Sequence, residues 1–172
     1  PGPQSPLARF VMPPRVLVVD DDPDIVEAIR ISLESGFEVV TAFDGLEALR
    51  RIPECEPDLY VIDGMMPKMS GFQALQTLRA CPDTRHQPVL FISAKADPRD
   101  REYARSLGAN DFLAKPFSPA ALVERLTALV AAPGFQVNLR KRKTLGQILL
   151  EEGKKKAEEE DRRRRLVTSH TQ

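Results

Sequence analysis

The sequence predicts an α/β fold: a doubly wound, five-stranded parallel sheet in the order 2-1-3-4-5 with helices on both faces. A charged tail, mostly helical or disordered, is expected to follow it. Three observations predict this. The runs at 16–19, 59–62 and 89–92 are apolar or aromatic at every position, as strands buried on both faces require. Segments with apolar residues at helical spacing separate the strand runs. Strand and helix alternate five times, and right-handed crossovers then leave few topologies.

Each element has its own signals. After the strand at 16–19, Pro23 fits the first turn of a helix, where its missing N–H costs nothing. Ile25, Val26, Ile29 and Leu33 continue that helix, and Gly36 ends it. Residues 39–42 make the second strand. Asp44 caps the second helix, with Leu46 and Leu49 facing inward. Residues 59–62 make the third strand and 71–80 the third helix. The fourth strand is 89–92, and a helix over 98–107 is stopped by Gly108. Residues 112–114 are a short fifth strand. Ser118 caps the next helix, with Leu122, Leu126 and Leu129 on one face.

The flanks differ from this domain, which spans 14–132. Residues 1–14 hold five of the fifteen prolines, so 1–13 are expected to be a flexible leader, with Met12 as an expected native start. Pro133-Gly134 breaks the last helix and opens a charged extension over 133–172. The net charge is zero but unevenly placed. Residues 1–133 carry 14 Lys and Arg against 19 Asp and Glu, and residues 134–172 carry 11 against 6. Two parts with different roles follow.

Composition excludes several classes. Hydrophobic residues at 42% and charged residues at 29% fit neither a disordered, a collagen-like nor a membrane chain. No apolar run approaches the roughly 20 residues needed to span a bilayer. Cys55 and Cys81, with no CxxC and only two histidines (His86 and His170), make neither a zinc site nor a disulfide framework. They read as reduced, inert thiols in a cytoplasmic protein.

The chemistry is expected beyond the carboxyl ends of the strands, where the strand order reverses. Strand 1 ends in Asp20, Asp21 and Asp22, strand 3 in Asp63 and strand 4 in Ser93, while Lys115 follows strand 5. Clustered carboxylates repel one another unless a cation neutralises them. Oxygen ligands suit Mg²⁺, which takes one or two carboxylates plus a phosphate. A lysine supplies a point charge for a phosphoryl oxygen, and a carboxylate can itself become an aspartyl-phosphate. Phosphoryl transfer needs mainly positioning and charge neutralisation. Asp22 and Asp24 read as helix-capping acids rather than metal ligands.

The residues that carry a resemblance are VLVVDDDPD at 16–24, LYVIDGMMP at 59–67 with Ser70-Gly71, ISA at 92–94 and GANDFLAKPF at 108–117. In order and spacing they resemble the receiver domains of two-component response regulators, over about 14–132. The resemblance implies that Asp63 is the phosphoacceptor. Asp21 would be a direct Mg²⁺ ligand (Mn²⁺ could substitute), Asp20 would act partly through water, and the Met65 carbonyl would be the third protein ligand. Ser93 would supply the hydroxyl that moves to the phosphate, with the Ala94 amide beside it, and Lys115 would contact the phosphate. Phe112 would be the aromatic ring that turns inward, and the Lys115–Pro116 bond would be cis.

A histidine kinase or phosphotransferase is the implied donor. The surface of helix 4, strand 5 and helix 5 is the implied output, toward a protein partner or a homodimer. Asp111 and Arg125 match positions that pair across such dimers. The implied role is regulatory: the domain catalyses only its own phosphorylation and dephosphorylation. Met65 and Lys95 occupy positions that tune acyl-phosphate hydrolysis in similar domains. An apolar Met cannot orient an attacking water, so slow self-dephosphorylation is expected.

Two rival readings remain at this point. A pseudo-receiver would keep the fold as a phosphorylation-independent interaction module. A Mg²⁺-dependent phosphatase of the haloacid-dehalogenase type would use the Asp-x-Asp at 20–22, but it needs a late acidic pair and leaves Asp63 unexplained. The tail holds basic residues at 140–143 and 154–156, then Glu158, Glu159, Glu160 and Asp161, each four residues before an arginine. That order favours a solvated helix. Nucleic-acid contact is open only through this basic tail, without sequence preference. Residues 145–153 also resemble the opening of the N-terminal domain on type II secretion and type IV pilus ATPases.

Overall fold

The computed structural model describes residues 5–95, 97–139 and 143–168. The basic residues at 140–142 and His170 lie outside the described residues. The sheet is five-stranded and fully parallel, in the order β2-β1-β3-β4-β5. Its strands are β1 (Arg15–Val19), β2 (Glu38–Ala42), β3 (Leu59–Asp63), β4 (Val89–Ser93) and β5 (Asp111–Ala114). The helices between them are α1 (Pro23–Leu33), α2 (Gly45–Cys55), α3 (Gly71–Ala80) and α4 (Pro98–Ser106), and α5 (Pro119–Ala131) follows β5. β1, β3 and β4 are buried at every position, as their unbroken apolar runs require. Val16, Val18, Leu59, Val61, Leu90 and Ile92 form one core with α1 and α5.

Capping follows the sequence. Asp22 accepts the N–H groups of Asp24 and Ile25 at the start of α1, so it is spent on the helix. Asp44 accepts from Glu47, and Ser70 and Gln73 form a reciprocal capping box on α3. Two helix faces differ from expectation. Leu46 is 47% exposed, while Gly45, close against Met69, lies on the buried face of α2 with Ala48 and Cys55. On α5 the buried stripe is Leu122, Leu126 and Val130, with Leu129 at its margin.

Of the expected flexible leader, residues 1–4 lie outside the described residues, and within the rest Pro6–Arg9 form a short 3-10 helix. Ser5 caps it, and Leu7 and Phe10 pack on the core. Leu7 fills the space a side chain at Gly36 would need, and the Arg9 guanidinium donates to the Val130 carbonyl. Residues 133–139 also lie with the sheet domain rather than the extension. Phe135 meets Phe10 edge-on at 5.6 Å, and the Asn138 N–H donates to Asp58 Oδ1 at 2.9 Å. The boundary between the two compact units falls after Leu139, not at 132.

In the second unit, α6 spans Leu145–Thr168. Thr144 and Gln147 cap each other at its start. Arg163–Glu159 and Arg165–Asp161 pair one turn apart, as the acid-before-base order predicts. No helix among the described residues is long and apolar enough to cross a membrane.

Candidate functional site

The ends of four strands deliver the site. Asp20 follows β1 and is fully buried, held by its own N–H to the Ala42 carbonyl. Its Oδ1 accepts the Asp22 N–H at 2.9 Å, which fixes the carboxylate toward the crevice. Asp21 beside it is exposed. Asp63, the last residue of β3, is 3% exposed. Asp20, Asp21 and Asp63 each offer a carboxylate oxygen within 4.8 Å of the others.

Lys115 closes the group from β5. Its Nζ donates to Asp20 Oδ2 at 2.6 Å and lies 3.4 Å from Asp63 Oδ1. The Lys115 N–H donates to the Ser93 carbonyl, which ties the β5 end to β4, and the Lys115–Pro116 bond is cis. The Met65 N–H reaches Asp63 Oδ1 at 3.4 Å. Ser93 is 2% exposed, and its Oγ accepts the Lys95 N–H at 3.2 Å. Ala94 follows it at the surface.

The charges in this crevice are unbalanced. Burial and the neighbouring Asp20 carboxylate push the Asp63 carboxyl up to about 6, although Lys115 opposes them. Burial alone would lower the Lys115 ammonium, but its contacts with Asp20 and Asp63 raise it above the usual lysine value. Three carboxylates against one ammonium leave room for a further cation, and the donors are all oxygen, which suits a hard divalent ion.

The family of response regulator receiver domains matches residues 16–127. The chain belongs to this family. It is 45% identical over 125 residues to the transcriptional regulatory protein PrrA of Mycobacterium leprae, across 72% of this chain and 53% of that protein. It is 36% identical over 146 residues to the alkaline phosphatase synthesis transcriptional regulatory protein PhoP of Bacillus subtilis, across 81% and 59%. The chain thus spans little more than half the length of these curated relatives. Among solved structures, the Vibrio cholerae chemotaxis protein CheY4 superposes with a TM-score of 0.66 at 31% identity, across 69% of this chain and 99% of that one. The receiver domain of the Francisella response regulator 1452 gives 0.63 at 38%, across 67% and 95%.

This receiver domain brings Asp20, Asp21, Asp63 and Lys115 together, with Ser93 and Met65 at the rim. Phe112 is 7% exposed and lies inward, stacked on Phe91 with the Arg101 guanidinium 5.1 Å from its centroid. Asp111 and Arg125 pair within the one chain at 3.1 Å. Sequence reasoning missed two supporting positions. A side chain at Gly71 would overlap the Asp63 carbonyl, and the Gly71 N–H donates to the Gly64 carbonyl, so α3 begins pressed against the end of β3. A Cβ at Gly64 would meet the Phe91 ring at 2.7 Å. The glycines were visible in sequence, but nothing there gives the partner of a missing Cβ.

Proposed function

We propose that this receiver accepts a phosphoryl group from a histidine kinase or phosphotransferase onto Asp63, and that phosphorylation changes its α4–β5–α5 surface toward a protein partner. The observation that carries this is the Asp63 carboxyl itself: buried, at the end of the central strand β3, beside two more carboxylates and 3.4 Å from the Lys115 ammonium. An Asp63 carboxylate oxygen attacks phosphorus as the phosphorus–nitrogen bond of phosphohistidine breaks. The imidazole nitrogen leaves with the electron pair.

Asp21, Asp63 and the Met65 carbonyl would hold Mg²⁺ directly, and Asp20 through water. Mn²⁺ would serve in its place. Bound there, the ion would neutralise the carboxylates and the incoming phosphoryl oxygens. Lys115 supplies a second positive charge, the Ser93 hydroxyl and Ala94 N–H supply hydrogen bonds, and Phe112 is the ring whose inward position goes with the move of the Ser93 hydroxyl. The chemistry is regulatory, limited to the domain's own phosphorylation and dephosphorylation.

The test is intact mass after incubation with Mg²⁺ and acetyl phosphate. Wild type is expected to gain one phosphoryl group and Asp63→Ala none. Failure of wild type with both acetyl phosphate and a functional kinase would establish a phosphorylation-independent module instead. A second measurement is the lifetime of the adduct. Met65 is 52% exposed beside the site and has no group to orient water, so the phosphate is expected to persist for minutes. A half-life of seconds would contradict this, and Met65→Asn is expected to shorten it.

A further inference from the structure

Four aromatic rings run in a row from β5 to α4. Phe112 stacks on Phe91 of β4, with centroids 6.0 Å apart and planes at 26°. Phe91 meets Phe72 of α3 at 4.8 Å, and Phe72 meets Tyr103 of α4 at 5.1 Å. The row starts at a buried ring and ends at one that is 50% exposed. Each ring comes from a different element, so the row crosses a strand–strand boundary, a strand–helix boundary and a helix–helix boundary.

Phe91 is the junction. It is fully buried and in register with Ile62 of β3 and Phe112 of β5. Its ring fills the space above Gly64, the residue directly after Asp63, and the Ser93 hydroxyl lies 3.5 Å from the same point. The ring and the hydroxyl therefore flank one patch of backbone beside the acceptor. When Ser93 moves toward a group on Asp63, it vacates space on the patch that the Phe91 ring borders. A close-packed interior answers such a loss by shifting neighbours rather than by keeping a void. Among the four rings, Tyr103 has one ring neighbour and half its surface in water, so it is the end that yields.

We propose that Phe91 and Phe72 are positioning residues that couple the phosphorylation of Asp63 to the ring of Tyr103, so that the α3–α4 surface around Tyr103 reports the state of the site. The inference rests on the phosphoacceptor reading above and adds an output face beside the one that Phe112 serves. Pro98, Arg99 and Glu102 border Tyr103 on that face.

The chain has two tyrosines and no tryptophan, and Tyr60 is 1% exposed. Acrylamide quenching of tyrosine fluorescence therefore reads Tyr103. The experiment uses the full chain with Mg²⁺, with and without beryllofluoride as a phosphoryl mimic, while uptake of phosphate from acetyl phosphate is followed separately by mass. In wild type the quenching constant is expected to change by a factor of about two, the range open to a half-exposed ring that is either released or covered. Phe72→Leu, a change on the half-buried face of α3, is expected to abolish that response while phosphoryl uptake stays at the wild-type level. Phe91→Leu is expected to do the same, and Phe72→Met serves if Phe72→Leu does not fold. An unchanged constant in wild type that takes up phosphate overturns the proposal and leaves the phosphoacceptor reading standing. So does an equal response in wild type and Phe72→Leu. No uptake in wild type, from acetyl phosphate and from a functional kinase alike, overturns both.

Discussion

Arg15→Ala is expected to cost about 3–5 kcal/mol of folding free energy, because it removes one partner of a buried ion pair. Arg15 opens β1 and its side chain is fully buried. The guanidinium donates to Glu38 Oε2 from Nε at 2.9 Å and from Nη2 at 2.8 Å, and it also donates to the Cys55 carbonyl. Alanine takes the cation away from Glu38 and a donor away from the C-terminal end of α2, and leaves a cavity under the sheet. The measurement is urea unfolding. The midpoint should fall with little change in slope. A loss below about 1 kcal/mol would mean that water or another cation replaces the guanidinium, as at an exposed pair.

Asp63→Asn should have the opposite sign. The carboxyl sits near 6 in the folded protein and near 3.8 in an unfolded chain. A group whose folded value is raised stabilises fully below the unfolded value and loses that contribution as pH rises through the folded one. At pH 7.5, in EDTA, wild type therefore carries an ionised Asp63 in a site that disfavours it. Asparagine, with the same shape and no charge, is expected to be more stable by up to about 3 kcal/mol, since each tenfold change in proton affinity is worth about 1.4 kcal/mol. The gain should shrink between pH 6 and 4 and vanish below, where both side chains are neutral. Adding Mg²⁺ at pH 7.5 should raise the stability of wild type more than that of the variant. Equal stabilities at pH 7.5 would show that the Asp63 carboxylate is not under strain.

Much of this was legible in the sequence, and for identifiable reasons. Strands buried on both faces leave unbroken apolar runs, so 59–62 and 89–92 read directly. The polar residues that end those runs fall together because parallel strands present all their carboxyl ends on one side. Asp63 and Lys115 could thus be placed in one crevice although 52 residues separate them. Features that depend on what lies opposite were not legible. Leu46 looks inward by spacing, but the face of α2 that is buried holds Gly45, Ala48 and Cys55, with Gly45 close against Met69. The burial of Arg15 left no sign in the sequence, since a charge carries no mark of its own burial. Leu7 and Phe10 sit among prolines that mask them as anchors. The rings of Phe72, Phe91 and Tyr103 lie in three separate elements, and their alignment exists only in the folded chain.

The Asp58 carboxylate has a consequence for how such a domain travels between proteins. One of its oxygens accepts the N–H of Arg15 at 2.7 Å and the other the N–H of Asn138 at 2.9 Å. The point where the chain enters the sheet and the point where it leaves the last packed segment are thereby stapled to a single side chain. A cassette whose entrance and exit share one anchor can be spliced into a surface turn of another protein without stretching its host. Grafting experiments that cut at 14 and 139 keep that staple, and cuts at 14 and 132 discard it.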